Sequence, residues 1–457
     1  MTFADDARAA ELSALTDLFD ELFPIMRSIS GPGIRRSIDI LSRRMPFVVE
    51  EVPSGTKVFD WVTPPEWHFR SARLVGPDGK VVVDAADNTL HVMNYSTAVN
   101  EQLSLEELQR HLYSLPHLPE AIPYVTSFYK PNWGFSLKHS QRERLLSGTY
   151  HAVIDASFVA GGIPVAECVL PGETEQEILL TSYICHPSMA NNELSGPLTL
   201  LSLYDRIARW PRRRFSYRFV INPETIGALC FLHLRSKEQA RRLVGGMTLT
   251  CTGGPEPTLS YLVSRPGNSP IDHVMRALAG GQLRAVSMPV VIREFRPVGG
   301  SDERQYGSPG FNWPMGQVAR TVYGQYDGYH NSLDTREFMG VDRLIESADA
   351  VEQVLKLVEL SARYEILQPY GEPQLGRRNL YPNVNSDDTL KRYSSDTNID
   401  GRTFLARVLM ILNYSDGRHS MLSIAERCEC DVRDLVSAIE ALEAASLLRI
   451  AEHTVAQ

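Results

Sequence analysis

Between Tyr124 and Leu360 short apolar runs alternate with helical stretches of about ten to fifteen residues, an order that leaves few folds open. The strand-like runs are Gly148 to Ser157, Val165 to Leu170, Ile178 to Ile184, Phe215 to Ile221, Gly246 to Thr252 and Pro289 to Phe295. Helical segments fall at Pro197 to Trp210, from beyond Glu224 through Arg241, at Pro270 to Leu278 and at Val341 to Tyr364. The order predicts an α/β body with a mostly parallel central sheet and helices on both faces. Open sheets of this kind build their ligand crevices at the carboxyl ends of the strands.

Flanking segments follow other rhythms. Leu12, Leu15, Leu18, Phe19, Leu22 and Phe23 repeat with helical spacing, Gly31-Pro32-Gly33 breaks the pattern, and Ile34 to Met45 resumes it. Short alternating stretches such as Lys57 to Val62, Ala72 to Val75 and Val81 to Asp84 predict a small β-rich module at 56–123, inserted into a body made of 1–55 and 124–370. A polar stretch at 371–400, rich in Pro, Asn, Ser and Asp, reads as a linker. Beyond it, 401–457 has helical patterns at Phe404 to Tyr414, Met421 to Cys428 and Val432 to Ala445, then a short strand at Leu447 to Ile450. That order resembles a winged helix.

Composition narrows the function classes. The chain has 457 residues, 43% hydrophobic and 22% charged, enough for a sizeable core and two or three domains. Neither a basic leader with an apolar core nor a run of about 18 apolar residues is present, so the expectation is a soluble, cytoplasmic protein without membrane contact. Six cysteines without dense spacing make no disulfide framework, and Cys428-Glu429-Cys430 is too tight for usual zinc spacing. A formal charge of -9 disfavours nucleic acid as a partner. The tail repeats that balance: Glu426, Glu429, Asp431 and Asp434 lie where a phosphate-binding face would need cations. Its apolar positions Leu435, Ile439 and Leu442 suit packing against the body or a second subunit, so a homo-oligomer formed through the tail is expected.

Four polar clusters end or follow predicted strands: Cys185-His186-Pro187-Ser188 through Asn192-Glu193-Leu194-Ser195-Gly196; Asn222-Pro223-Glu224-Thr225; Gly300-Ser301-Asp302-Glu303; and Tyr329-His330-Asn331-Ser332-Leu333-Asp334-Thr335. Neutral imidazole is a good zinc ligand, and carboxylates complete catalytic sites that leave one position open. His186 and His330 are therefore candidate metal ligands, converging only through the fold. A single such histidine would more simply be bonded to backbone near a turn. Glu224, where a buried strand opens into a loop, suits a general base that takes a proton from the attacking water and returns it to the leaving amine. Its simpler role is to complement the dipole of the helix beginning near Ile226. Asp302 could hold a metal or a substrate amine, or cap a short helix. Tyr129 and Trp133, within the aromatic stretch Tyr124 to Gly134, are candidate substrate contacts together with Asn192, Glu303 and Tyr329.

Together these clusters resemble the zinc-dependent aminopeptidase superfamily that includes the glutaminyl cyclases. With Val58-Phe59-Asp60-Trp61 and Pro65-Glu66-Trp67 in the insert, nearly the whole chain looks like a bacterial family of aminopeptidase-like proteins with an inserted β module and a winged-helix tail. The resemblance implies a zinc-peptidase-like fold and an amide hydrolase acting on the amino-terminal residue of a short peptide or aminoacyl conjugate. The chain also departs from the pattern. Asn192 stands at the bridging-aspartate position, Thr225 follows Glu224 where a second glutamate is expected, and Cys251-Thr252-Gly253-Gly254 offers no aspartate. A carboxamide cannot neutralise two neighbouring cations, so the resemblance implies one zinc ion, held by His186 and His330 with Glu193 or Asp302, and Glu224 as base. A metal-free binding protein on the same fold is the alternative, and a DNA-binding regulator a weaker one.

Overall fold

The run at 178–184 forms the strand Glu177–Tyr183, all seven residues of which are buried, as expected of an apolar stretch covered on both faces. It lies at the centre of an eight-stranded sheet. Ser216–Asn222 and Leu243–Leu249 flank it in parallel, and Met315–Ala319 pairs in parallel with the latter. On one side Gly162–Leu170 and then Val48–Pro53 add antiparallel strands. On the other, Leu259–Leu262 runs antiparallel to Met315–Ala319 and parallel to the edge strand Val290–Arg293. The sheet is thus mixed, parallel at its centre where the polar clusters emerge. Helix Ser195–Ala208 packs against the central strand and Ile226–Arg242 against Gly162–Leu170.

A computed structural model of the chain describes residues 3–283, 286–381 and 400–451. Two units are distinguished, Met1–Ser269 with Ser287–Glu352, and Pro270–Val286 with Gln353–Gln457. No described helix is long and apolar enough to cross a membrane.

The small β module draws in more chain than 56–123. Thr149–Val159, read from sequence as a strand of the body, instead pairs with Glu66–Val75 and Val99–Ser104 in a four-stranded antiparallel sheet that Val81–Asp84 completes. The strand buries alternate residues, the mark of a sheet with one wet face.

In the second unit, helices Gly401–Tyr414, Met421–Arg427 and Val436–Ala444 accompany a three-stranded antiparallel sheet, the arrangement of a winged helix. The central strand of that sheet is Arg363–Ile366, flanked by Asp416–Ser420 and Leu448–Ile450, so the sheet takes a strand from ahead of the polar stretch. The helix expected over Val341 to Tyr364 stops at Leu360, and the chain turns there into that strand. Most of the predicted linker, 382–399, and the terminal 452–457 lie outside the described residues.

Gly196 shows how closely helix and sheet meet. A Cβ there would lie 2.2 Å from Ser182 Oγ and 2.4 Å from the Leu249 carbonyl oxygen. Gly196→Ala is therefore expected to cost about 1–3 kcal/mol, since backbone must shift to relieve the overlap. Thermal unfolding measures it, and an unchanged Tm would mean the helix start is free to move.

Candidate active site

Parallel pairing puts Tyr183 opposite Asn222, so the chain leaves two adjacent strands side by side and delivers His186 and Glu224 to one crevice. The Ile184 N–H continues the ladder, donating to the Asn222 carbonyl at 3.0 Å. His186 is buried, with Nδ1 2.6 Å from Glu193 Oε2 and Nε2 3.7 Å from Glu224 Oε2. Glu193 comes from Ala190–Leu194, a turn of π-helix just ahead of helix Ser195–Ala208. Such widened turns often re-aim side chains at functional sites.

Glu224 is held from below. Ser301 Oγ donates to its Oε1 at 2.6 Å, and its own N–H points at Cys185 Sγ at 3.4 Å. Thr225 has φ 64, a strained value for a β-branched residue, and its N–H donates to Asp302 Oδ1 at 2.7 Å. This strain turns the chain at the point where Glu224 is presented.

His330, from the cluster most distant in sequence, reaches the same place. Its ring centre is 5.3 Å from that of His186, and Tyr124 packs against both rings at 5.0 and 5.5 Å. Tyr329 stacks on His330 at 4.0 Å. The His330 backbone adopts φ 57, and its carbonyl accepts from the Tyr124 N–H at 2.9 Å.

The two imidazoles have opposite electrostatic surroundings. Burial, helped by His186, pushes His330 down to about 3, leaving it neutral at pH 7. Burial also works against charge on His186, but Cys185 and Glu193 outweigh it and hold that ring well above the usual histidine range. The Cys185 thiol is pushed up to about 11 by burial. Asp302 is raised well above the usual aspartate range by burial and by Glu224.

The spacing of the two histidine rings is one that a single cation could bridge. Two imidazoles on one tetrahedral zinc, with bonds of about 2.0–2.1 Å, have ring centres roughly 5 Å apart, which matches the observed 5.3 Å. Glu193 occupies Nδ1 of His186, so Nε2, on the Glu224 side, is the nitrogen left to a metal. Asp302 Oδ2 is buried without a hydrogen-bond partner, an open carboxylate oxygen close to Glu224. Cys185 Sγ, a His186 nitrogen and a Glu193 oxygen also lie within 4.8 Å of one another. In that group Nδ1 and Oε2 are already paired at 2.6 Å, while Glu193 Oε1 has no hydrogen-bond partner.

Among the described residues a second cation has no comparable support. Asn192, whose N–H donates to Asp334 Oδ2 at 2.8 Å and whose Nδ2 donates to Tyr183 OH at 3.0 Å, offers only a neutral carboxamide oxygen, buried without a partner. Thr252 is spent on Ser195 and Thr199. Asp334, within the Tyr329-to-Thr335 motif, is the anchor of this region. Its two oxygens accept the N–H groups of Asn191 and Asn192 at 2.7 and 2.8 Å.

Asp334→Asn cannot accept both, and should lose about 1–3 kcal/mol of stability in denaturant unfolding. Burial raises Asp334 to about 6, above its ordinary value of 3.8. The folded protein therefore binds this proton more tightly than the unfolded chain, and stability declines as pH rises from about 4 to 6. Asp334→Asn should remove that portion of the pH dependence; an identical profile in the variant would contradict the assignment.

A hollow of about 230 Å³ opens beside His186 and Glu224, lined also by Ile29, Trp61, Phe128, Tyr129, Cys185, Thr225 and Ile226. Of the expected substrate contacts, Tyr129 lines it. Trp133 does not: it stacks on His111 at 3.7 Å, a partner within the small module. Glu303 is fully buried, its oxygens taken by the Ser301 N–H at 2.9 and 3.0 Å and by Gln317 Nε2 at 3.0 Å, so it offers a substrate no free face. Asn192 lies beneath the site and Tyr329 against His330. Tyr124 and Ser301 stand in the aromatic stretch and the Gly300-to-Glu303 cluster without a role of their own, whereas Arg27 leaves only the trace of a lone cation after the apolar Phe23-Pro24-Ile25-Met26.

A model of the family described as "Domain of unknown function (DUF4910)" matches residues 16–361. The chain belongs to this family. A winged helix-turn-helix model matches residues 362–450, starting at the strand that precedes the polar stretch. A Clostridium acetobutylicum protein, described as a candidate polysaccharide biosynthesis protein with aminopeptidase-like domain, is 37% identical over 434 residues, 95% of each chain. The crystal structure of a candidate peptidase from Clostridium acetobutylicum superposes with TM-score 0.82 at 35% identity, covering 97% of this chain and 98% of that one. A zinc aminopeptidase from Bacillus subtilis matches at TM-score 0.54 and 11% identity, over 76% of this chain and 94% of that one, a likeness of fold. The body of the DUF4910 chain is thus an aminopeptidase-like domain, joined to a C-terminal winged helix.

Proposed function

We propose that this chain is a metal-dependent, aminopeptidase-like hydrolase with one zinc ion, cleaving the amide bond of the amino-terminal residue of a short peptide or aminoacyl conjugate. The observation that carries the reading is the convergence of His186, His330 and Glu224, with ring centres 5.3 Å apart and Glu224 3.7 Å from His186 Nε2. His186 and His330 would hold the ion, with Asp302 the buried carboxylate still open to it; zinc there would polarise the scissile carbonyl and ease deprotonation of water. Glu224, fixed at Oε1 by Ser301, presents Oε2 to the crevice, where it takes the proton of the attacking water and passes it to the leaving amine. Trp61, Phe128 and Tyr129 shield the hollow from water and seat an apolar portion of the substrate. The relative named for polysaccharide biosynthesis brings sugar-borne amides within the substrate class.

A second reading, a metal-free binding protein, draws on the His186–Glu193 pair, which satisfies the imidazole without any cation. Metal analysis of protein purified without chelator separates the two. About one zinc per chain supports the hydrolase, and a metal-free chain, still folded, supports the binder.

A further inference from the structure

We infer that Arg27 and Glu193 act as a positioning pair that fixes the orientation of His186 and thereby sets how tightly the site holds zinc. This rests on the functional reading above. Arg27 is completely buried, and a buried guanidinium needs charge compensation. The compensation is directed at the site: Arg27 Nε donates to the His186 carbonyl oxygen at 3.0 Å and lies 3.8 Å from Glu193 Oε1. Its Nη1 donates to the Leu22 carbonyl, anchoring the cation to the end of the amino-terminal helix Phe3–Leu22.

The other oxygen of Glu193 meets His186 Nδ1 at 2.6 Å. His186 is thus gripped twice, through its backbone by Arg27 and through its ring by Glu193. Glu193 occupies Nδ1, with the Arg27 cation 3.8 Å from its other oxygen, so Nε2, which faces Glu224, is the nitrogen open to a metal. Carboxylate partners of metal-binding histidines typically change metal affinity about 10–100-fold when removed. Here the carboxylate has a buried cation behind it, supplied by the segment that follows the first helix.

The test is the zinc dissociation constant of the full chain, measured by competition with a chromophoric chelator, on variants whose folding is confirmed by circular dichroism. Glu193→Gln, nearly isosteric, should bind zinc about 10–100-fold more weakly than wild type. Arg27→Met should weaken binding as well, and Arg27→Lys, which restores the charge, should recover part of the loss. The double variant Arg27→Met with Glu193→Gln should be no weaker than the poorer single variant, because both act through one imidazole. If Arg27→Met fails to fold, Glu193→Gln and Arg27→Lys decide the question. Folded Glu193→Gln with wild-type zinc affinity overturns the positioning pair, as do effects that multiply independently in the double variant. A wild-type chain that binds no zinc overturns the functional reading itself, and the pair falls with it.

Discussion

Glu224→Gln should lower turnover of an aminoacyl anilide by about 10²–10⁴-fold while leaving zinc content unchanged. The substitution keeps the shape of the side chain and an oxygen for Ser301 Oγ, which donates to Glu224 Oε1 at 2.6 Å. It removes the basic oxygen that faces the crevice, 3.7 Å from His186 Nε2. A carboxamide cannot take a proton from water near neutral pH, so positioning survives and proton transfer does not. Turnover kept at the wild-type level would remove Glu224 from the chemistry and leave it the task of complementing the helix Ile226–Arg242.

His330→Ala should take zinc content from about one per chain to near zero, with only a small change in melting temperature. The ring is neutral, since burial and His186 push it down to about 3, so deleting it strands no buried charge. His186→Ala should also lose zinc but at a higher structural cost. Glu193 would lose its 2.6 Å partner inside the protein, a change that costs about 3–5 kcal/mol when a buried ion pair is broken. Comparing the two variants separates the loss of a ligand from the loss of a fold. Full zinc content in His330→Ala would place the ion away from this ring, and a Cys185→Ser variant would then show whether the thiol side holds it.

Much of the frame was legible because it is local. The continuous burial of Glu177–Tyr183 follows from an unbroken apolar run, and the polar words after it fall at the strand end where such sheets leave space. Thr149–Val159 was harder to place: its alternation reveals one wet face but not which strands it pairs with. The first two residues of the strand Arg363–Ile366 read as the end of a helix because four residues are too few to set a period. Trp133 and Tyr129 share one aromatic stretch, yet Trp133 stacks on His111 while Tyr129 lines the hollow. Residue type was the same kind of signal in both cases, and the neighbours differed.

By itself, the sequence determined the α/β alternation and the strand-end positions of His186 and Glu224. Those features depend on periodicity and on residues a few positions apart, which a linear chain displays. Only the tertiary structure decided that Glu193 takes Nδ1 of His186, that Arg27 stands behind both, that Asp334 carries the turn at Asn191 and Asn192, and that Glu303 is sealed from substrate. Most of these are contacts between groups far apart along the chain, and even for the nearby Glu193 the sequence cannot say which atom it faces. They form because a buried charge or polar atom must find a partner, and the partner is whichever group the folded sheet brings within reach.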